Sequence, residues 1–286
     1  MAVIARSLES TRRISHRTSG WQQGPVTRLV SPNDLGQLIK PFVFFDYFET
    51  PRSQGRGFPA HPHSGIATHS TLIEGTFDYG DSTGKSGTMH AGDLEWMQAG
   101  GGVWHWGHPK ANEPVRGYQL WIALPAALEN APAESHYITA SQVPNDRRTR
   151  VLLGAYGDLS SPIPYREDVT YLHVNLRDGE RWTYVPSSTH DLAWLATHRG
   201  SLRVSGTHVE RELVVFEPGN AAIEIEASGD TELVIGSARQ HAHSLVTGSY
   251  SVHTSRAALM QGERGIDELE KTPLVQRAIG RSALGR

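Results

Sequence analysis

Two stretches of the chain follow the same plan. Residues 72–93 read LIEGTFDYGDSTGKSGTMHAGD and residues 196–220 read ATHRGSLRVSGTHVERELVVFEPGN. Each has an apolar run, a glycine turn, a second run, and a glycine followed by Asp or Asn; Gly75 to Gly92 spans 17 positions and Gly200 to Gly219 spans 19. An echo at that scale points to two similar β-barrels in tandem. The punctuation agrees: 29 glycines and 16 prolines in 286 residues separate short segments rich in Val, Ile, Thr, Tyr, Phe and Trp, the signature of many short strands. Predicted strands cover 26–29, 42–47, 68–73, 93–97, 117–123, 170–176, 193–196, 201–204, 213–216, 221–226 and 232–236. Helix is expected briefly near residue 31 and in a tail capped by Thr254 or Ser255. The polar stretch 127–150 holds the expected boundary, giving domains 1–135 and 136–286.

Charge and composition exclude several function classes. With 20% charged residues and a net charge of −3, the chain lacks the basic field that attracts nucleic acid or anionic lipid. Its cysteine count of zero removes disulfides, thiolate metal sites and a cysteine nucleophile. No apolar run approaches the roughly 20 residues of a membrane span, and MAVIARSLESTRR has no continuous apolar segment ahead of a cleavage site. A cytoplasmic protein is expected.

The run GFPAHPHSGIATHS, residues 57–70, holds three histidines. His61 and His63 are two apart, so on a strand they share a face. His105 follows 42 residues after His63 in GGGVWHWGHP, beyond a further predicted hairpin. Two imidazoles on one strand and a third on a returning strand can converge on one divalent metal, of the non-haem Fe, Mn, Ni, Cu or Zn type, with open positions. An HxH pair alone is commonly two exposed polar residues, and HAH at 241–243 is read that way.

The same residues carry a resemblance. PFVFFDYF, GFPAHPHSG, LIEG, DSTGKSG, AGDLEWMQAGGGVWH and Pro109 closely resemble the pirin family of bicupins over most of residues 20–125, and the tandem echo extends the likeness more weakly to the second half. The resemblance implies an all-β fold of two tandem cupin (jelly-roll type) barrels with a short C-terminal helical tail. It implies one mononuclear metal in the first barrel, iron(II) foremost, with Mn, Ni, Cu or Zn as alternatives. The ligands implied are the two histidines of HPH, a histidine after the glycine turn, and a glutamate two residues beyond. The histidines carry over as His61, His63 and His105. The glutamate does not, because residue 107 is glycine, and Ala67 stands where pirins often have another glutamate.

His69 and His108 are the candidate replacements. On an uninterrupted strand His69 shares the face of His61 and His63 and would reach the pocket above Ala67, while His108 has the opposite parity from His105. Glycine at 107 implies open space where a glutamate would fit. Phe58, Met97, Gln98 and Asp46 match pirin segments that line or approach the metal cavity, and Trp104 and Trp106 should face away from it. In the second half, positions equivalent to the three histidines are Pro186, Ser188 and Glu232, so a single metal site is expected.

Some pirins have quercetin 2,3-dioxygenase activity and others act as transcriptional co-regulators. The leading expectation is therefore a metal-dependent dioxygenase acting on a small aromatic or enolic substrate with dioxygen, in which no catalytic base is assigned. The alternative is a non-catalytic module that senses metal or redox state and signals to a protein partner. An isomerase or epimerase on a cupin scaffold is the third. Neither nucleic acid nor membrane is an expected direct partner.

Overall fold

The computed structural model describes residues 12–55 and 57–283. Two compact units emerge, both discontinuous in sequence. One joins the described part of Met1–Ser19 to Pro144–Gln240, and the other joins Gly20–Val143 to the described part of His241–Arg286. The single cut expected at 135/136 thus misses two exchanges. Strand Ile14–Thr18 pairs with Thr207–Phe216, and the C-terminal helices belong with the histidine-bearing unit.

The fold is all-β with jelly-roll sheets and a helical tail, as expected. The histidine-bearing unit has a seven-stranded sheet in the order Glu134–Ile138, Leu94–Gln98, Ile66–Glu74, Val115–Ala123, Phe42–Thr50, Val26–Val30 and Trp21–Gln23. A four-stranded sheet runs Phe58–His63, Val103–Pro109, Thr76–Asp81 and Ser86–His90. Alternation along the strands sends Phe44, Met97 and Trp121 into one core with Ile66, Val103 and Val252, where Phe44 and Trp121 stack with centroids 4.0 Å apart. In the other unit, a seven-stranded sheet encloses its own apolar core, which includes Leu172, Trp182, Leu195, Val214 and Ile235.

Two pairs of predicted strands are continuous. Residues 193–196 and 201–204 lie in Leu192–Val204, and 223–226 of the predicted 221–226, together with 232–236, lie in Ile223–Ala238. Gly200 and Gly229, at φ +73° and +77°, take up left-handed backbone inside these strands, so the glycines mark bends rather than ends. The early helix is confined to Leu35–Leu38. No helix among the described residues is long and apolar enough to cross a membrane.

The tail forms helices Arg256–Glu270 and Pro273–Ala283. Ser255 caps the first by accepting the backbone N–H of Ala258 at 3.1 Å, filling one of the unpaired donors at a helix start. Leu259, Gly262 and Ile266 form its buried face, spaced as one side of a helix. The indole N–H of Trp104 donates to the Ile266 carbonyl at 3.1 Å, and Trp104, Ile266 and Val275 share a small core.

Beneath that helix lies a buried polar chain. The Ser64 hydroxyl is 2.8 Å from Ser251 Oγ and 2.9 Å from His253 Nε2. His253 Nδ1 lies 3.3 Å from Glu129, which accepts from the backbone and hydroxyl of Thr254. A Cβ on Gly262 would sit 2.4 Å from Ser64 Oγ and 2.6 Å from His253 Nε2.

Gly262→Ala should therefore lower stability by about 1–3 kcal/mol through overpacking, although alanine is the better helix former. Gly280→Ala, whose Cβ meets nothing within 4 Å, should leave stability unchanged or raise it by up to about 1 kcal/mol. Urea midpoints of the two variants check the contrast.

Candidate metal centre

Strands Phe58–His63 and Val103–Pro109 are antiparallel, with His105 opposite His61 and Val103 opposite His63. That register puts all three imidazoles on one face. His105 Nε2 lies 2.9 Å from His61 Nε2 and 3.2 Å from His63 Nε2. Among the described residues, these three form the group whose candidate ligand atoms all lie within 4.8 Å of one another.

Each ring is oriented from behind. His61 Nδ1–H donates to the Pro59 carbonyl at 2.8 Å and His63 Nδ1–H to the Tyr250 carbonyl at 3.1 Å. His105 Nδ1 faces Glu95 Oε1 at 3.7 Å. In His61 and His63, donation from Nδ1 leaves the Nε2 lone pair free, the form in which histidine binds a metal. Burial, reinforced by the neighbouring His105 imidazole, pushes the His61 pKa down to about 3. Burial and the other two imidazoles push His63 well below its usual value.

Lone pairs at such separations repel unless a cation lies among them. Mutually perpendicular bonds of about 2.1 Å to one metal place nitrogens about 3.0 Å apart, which agrees with the observed edges. The donor set therefore fits a divalent metal, with the side opposite the three nitrogens open.

Glu95 comes from Leu94–Gln98 in the larger sheet and is 6% exposed. The Ser70 hydroxyl donates to its Oε2 at 2.5 Å. The Tyr137 hydroxyl lies 3.3 Å from Oε1 and 2.9 Å from Asp81 Oδ2. Burial alone would raise the Glu95 carboxyl, but His105 and the hydrogen bonds from Ser70 and Tyr137 outweigh it and hold the pKa below the usual value. The Tyr137 phenol is pushed up by burial and by the two carboxylates, so it stays a proton donor.

A cavity of about 50 Å³ adjoins the triad, lined by His61, His105, Glu95, Phe58, Phe77 and Gln119 among others. Phe48, Phe58 and Phe77 also wall a second cavity of about 570 Å³, which reaches Val26, Arg52 and Ser53. Phe58 meets Phe48 edge-on at 6.4 Å and Phe77 at 6.2 Å, so the three rings form a collar between the two spaces.

The structure brings together His61, His63, His105 and Phe58. It turns His69, Gln98 and His108 away, while Met97 and Asp46 share the sheet face of Glu95 and Gln119 without lining the cavity. His69 packs on Trp96, with ring centroids 6.3 Å apart, on the opposite sheet face from the cavity-lining Ser70. The parity count fails because Gly65, at φ +73°, separates Phe58–His63 from Ile66–Glu74, and the two strands lie in different sheets. Met97 joins the apolar core beside the triad, while Gln98, one residue on, pairs with Ala67 and Glu134 on the far face. Asp46 is engaged by Arg28, one contact being 3.0 Å. His108 is exposed and lies 3.8 Å from Asp78.

Gly107 is the clearest correction. An added Cβ would lie 2.3 Å from the Phe77 ring and 2.8 Å from the Asp78 carbonyl, so the space beside residue 107 is filled. Trp104 faces the tail helices, and Trp106 lies against Gly80, whose Cβ would meet its indole at 2.6 Å. His241 Nε2 is 3.3 Å from the Leu124 carbonyl and His243 is exposed.

Sequence reasoning missed Glu95, Tyr137 and Tyr250. Glu95 left one trace, a carboxylate inside the apolar run of DLEWM. Tyr250 left none, since it acts through its carbonyl from 187 residues away.

Jelly-roll sheets that gather three histidines at the end of an apolar cavity define a cupin that could hold one metal ion. The Pirin family model matches residues 24–122, the segment that supplies all three. The chain is 30% identical to a pirin-like protein of Caulobacter vibrioides over 247 residues, 82% of this chain and 88% of that one. Among solved structures, a quercetin 2,3-dioxygenase from Acinetobacter baumannii superposes with a TM-score of 0.78 at 22% identity, covering 90% of this chain and 95% of that one. The bacterial pirin YhhW from Escherichia coli, in complex with nickel(II), gives 0.62 at 19% identity, covering 80% and 98%. The chain belongs to the pirin family.

Gly107→Glu should not tighten metal binding and should destabilise the fold by about 1–3 kcal/mol. Adding Phe77→Ala should recover part of that loss by vacating the ring's space. Urea midpoints and metal titrations of the single and double variants check both points.

Proposed function

We propose that the chain is a mononuclear-metal dioxygenase of small aromatic or enolic substrates, with His61, His63 and His105 as metal ligands and iron(II) as the metal. The observation that carries this reading is the convergence of three imidazole Nε2 atoms at the end of an apolar cavity. The name of the Acinetobacter baumannii neighbour supports the reaction class. Bound iron(II) would supply a Lewis acid for an enolate oxygen and a redox partner for dioxygen, whose two oxygen atoms end in the product.

The chain's own residues do the rest. Phe48, Phe58 and Phe77 exclude water and offer flat apolar surfaces to an aromatic ring. Gln119 is a polar group on the inner wall and can orient a hydroxyl or carbonyl oxygen. The inner cavity, at about 50 Å³, admits only the chelating edge of a flavonol. The remainder of such a molecule would lie in the cavity of about 570 Å³, reached past Phe58, which is 39% exposed. The small inner cavity is also the observation that favours the second reading, a non-catalytic metal or redox sensor.

Oxygen uptake by iron-loaded protein, with quercetin and with a β-diketone, separates the two. A dioxygenase consumes dioxygen in step with substrate loss, and His61→Ala, His63→Ala or His105→Ala abolishes uptake along with metal occupancy. Stoichiometric iron with no uptake of dioxygen would leave the sensor. Phe58→Ala should lower KM for quercetin by on the order of tenfold while changing that for the β-diketone little, because only the larger substrate must cross the collar.

A further inference from the structure

Glu95 is a buried carboxylate with a specific set of neighbours: the Ser70 hydroxyl, the Tyr137 hydroxyl and the His105 imidazole, whose Nδ1 lies 3.7 Å from Oε1. No lysine or arginine is among them. Asp81, a second fully buried carboxylate, shares the Tyr137 proton and is otherwise occupied by its own turn, accepting from the Thr83 backbone at 2.8 Å and hydroxyl at 2.5 Å. A buried charge without a counterion is strongly destabilising. The triad is the place next to Glu95 where a cation fits, and His105 stands between them.

We propose that Glu95 is the positioning residue of the metal centre: it acts through His105 Nδ1, fixing that ring and supplying the negative charge that the three neutral ligands lack. The proposal rests on the reading that the triad holds a divalent cation. Glu95 lies outside the group whose ligand atoms fall within 4.8 Å of one another, so its effect reaches the metal through the imidazole rather than by a bond. The local packing explains why the carboxylate comes from this strand. Beside His105 on its own strand, Phe77 fills the space at Gly107, whereas Leu94–Gln98 approaches His105 from behind and delivers a carboxylate to Nδ1. A carboxylate there makes the imidazole a stronger donor and holds it against rotation.

The test is metal titration of the apo-protein with Co(II) against a competing chelator, together with urea unfolding of apo and metal-loaded forms. Glu95→Gln keeps the shape and an acceptor oxygen but removes the charge. It should weaken Co(II) binding by about 10- to 100-fold while leaving apo stability equal or higher, since a counterion-free buried charge is gone. A merely structural role would instead lower apo stability. Glu95→Ala should bind more weakly still and recover on addition of formate, which fits the vacated site.

X-ray absorption of the Co(II) forms should give the same directly bonded ligand atoms for wild type and Glu95→Gln. Unchanged affinity in Glu95→Gln would overturn the proposal while leaving the metal-site reading intact. Loss of an oxygen ligand in that variant would also overturn it, because Glu95 would then bond the metal directly. Failure of the wild-type protein to bind Co(II), Fe(II) or Ni(II) would overturn both.

Discussion

The unit's architecture depends on holding three imidazole nitrogens about 3 Å apart. Such an arrangement is unfavourable alone, and each ring is restrained from outside. The Pro59 carbonyl holds His61 from within its own strand. The Tyr250 carbonyl holds His63 from the tail, and Glu95 faces His105 from the larger sheet. Three separate parts of the unit thus aim at one point. The parallel bridge between Ser64 and Ser251, each the next residue after one member of the His63–Tyr250 pair, fixes that contact. The Ser64–His253–Glu129 chain below then ties it to the helix Arg256–Glu270.

Gly107, Phe77 and Glu95 form one coupled solution to the charge of the site. With the Phe77 ring packed against residue 107, the inner cavity becomes apolar on that side and small. The carboxylate then enters from the neighbouring sheet, buffered by Ser70 and Tyr137, and leaves the open side of the metal to substrate. A carboxylate bonded to the metal and one bonded to a ligand's far nitrogen both reduce the net charge of the site, but only the first uses a coordination position.

The sequence made parts of this visible according to how local their causes are. The HxH pair and the returning His105 are readable because alternation along a strand is a local rule, and the glycine turn before His105 marks the return. His69 misleads for the same reason: parity is kept only while the strand is unbroken, and Gly65 ends it. Glycine at 107 gives no hint of what occupies its missing side chain, since Phe77 arrives from another strand. The tail helices announce themselves by the Ser255 cap and the Leu259–Ile266 spacing. The membership of these helices in the histidine-bearing unit, and of Ile14–Thr18 in the other, depends on long-range pairing that no local pattern records.

Diffraction from a crystal of the protein grown with Ni(II), measured on either side of the nickel absorption edge, tests the central claim most directly. A single anomalous peak bonded to Nε2 of His61, His63 and His105, with the Glu95 carboxylate on Nδ1 of His105 and outside bonding distance of the ion, is the predicted result. A peak elsewhere in the chain, or one bonded through Nδ1 or through Glu95, would contradict it.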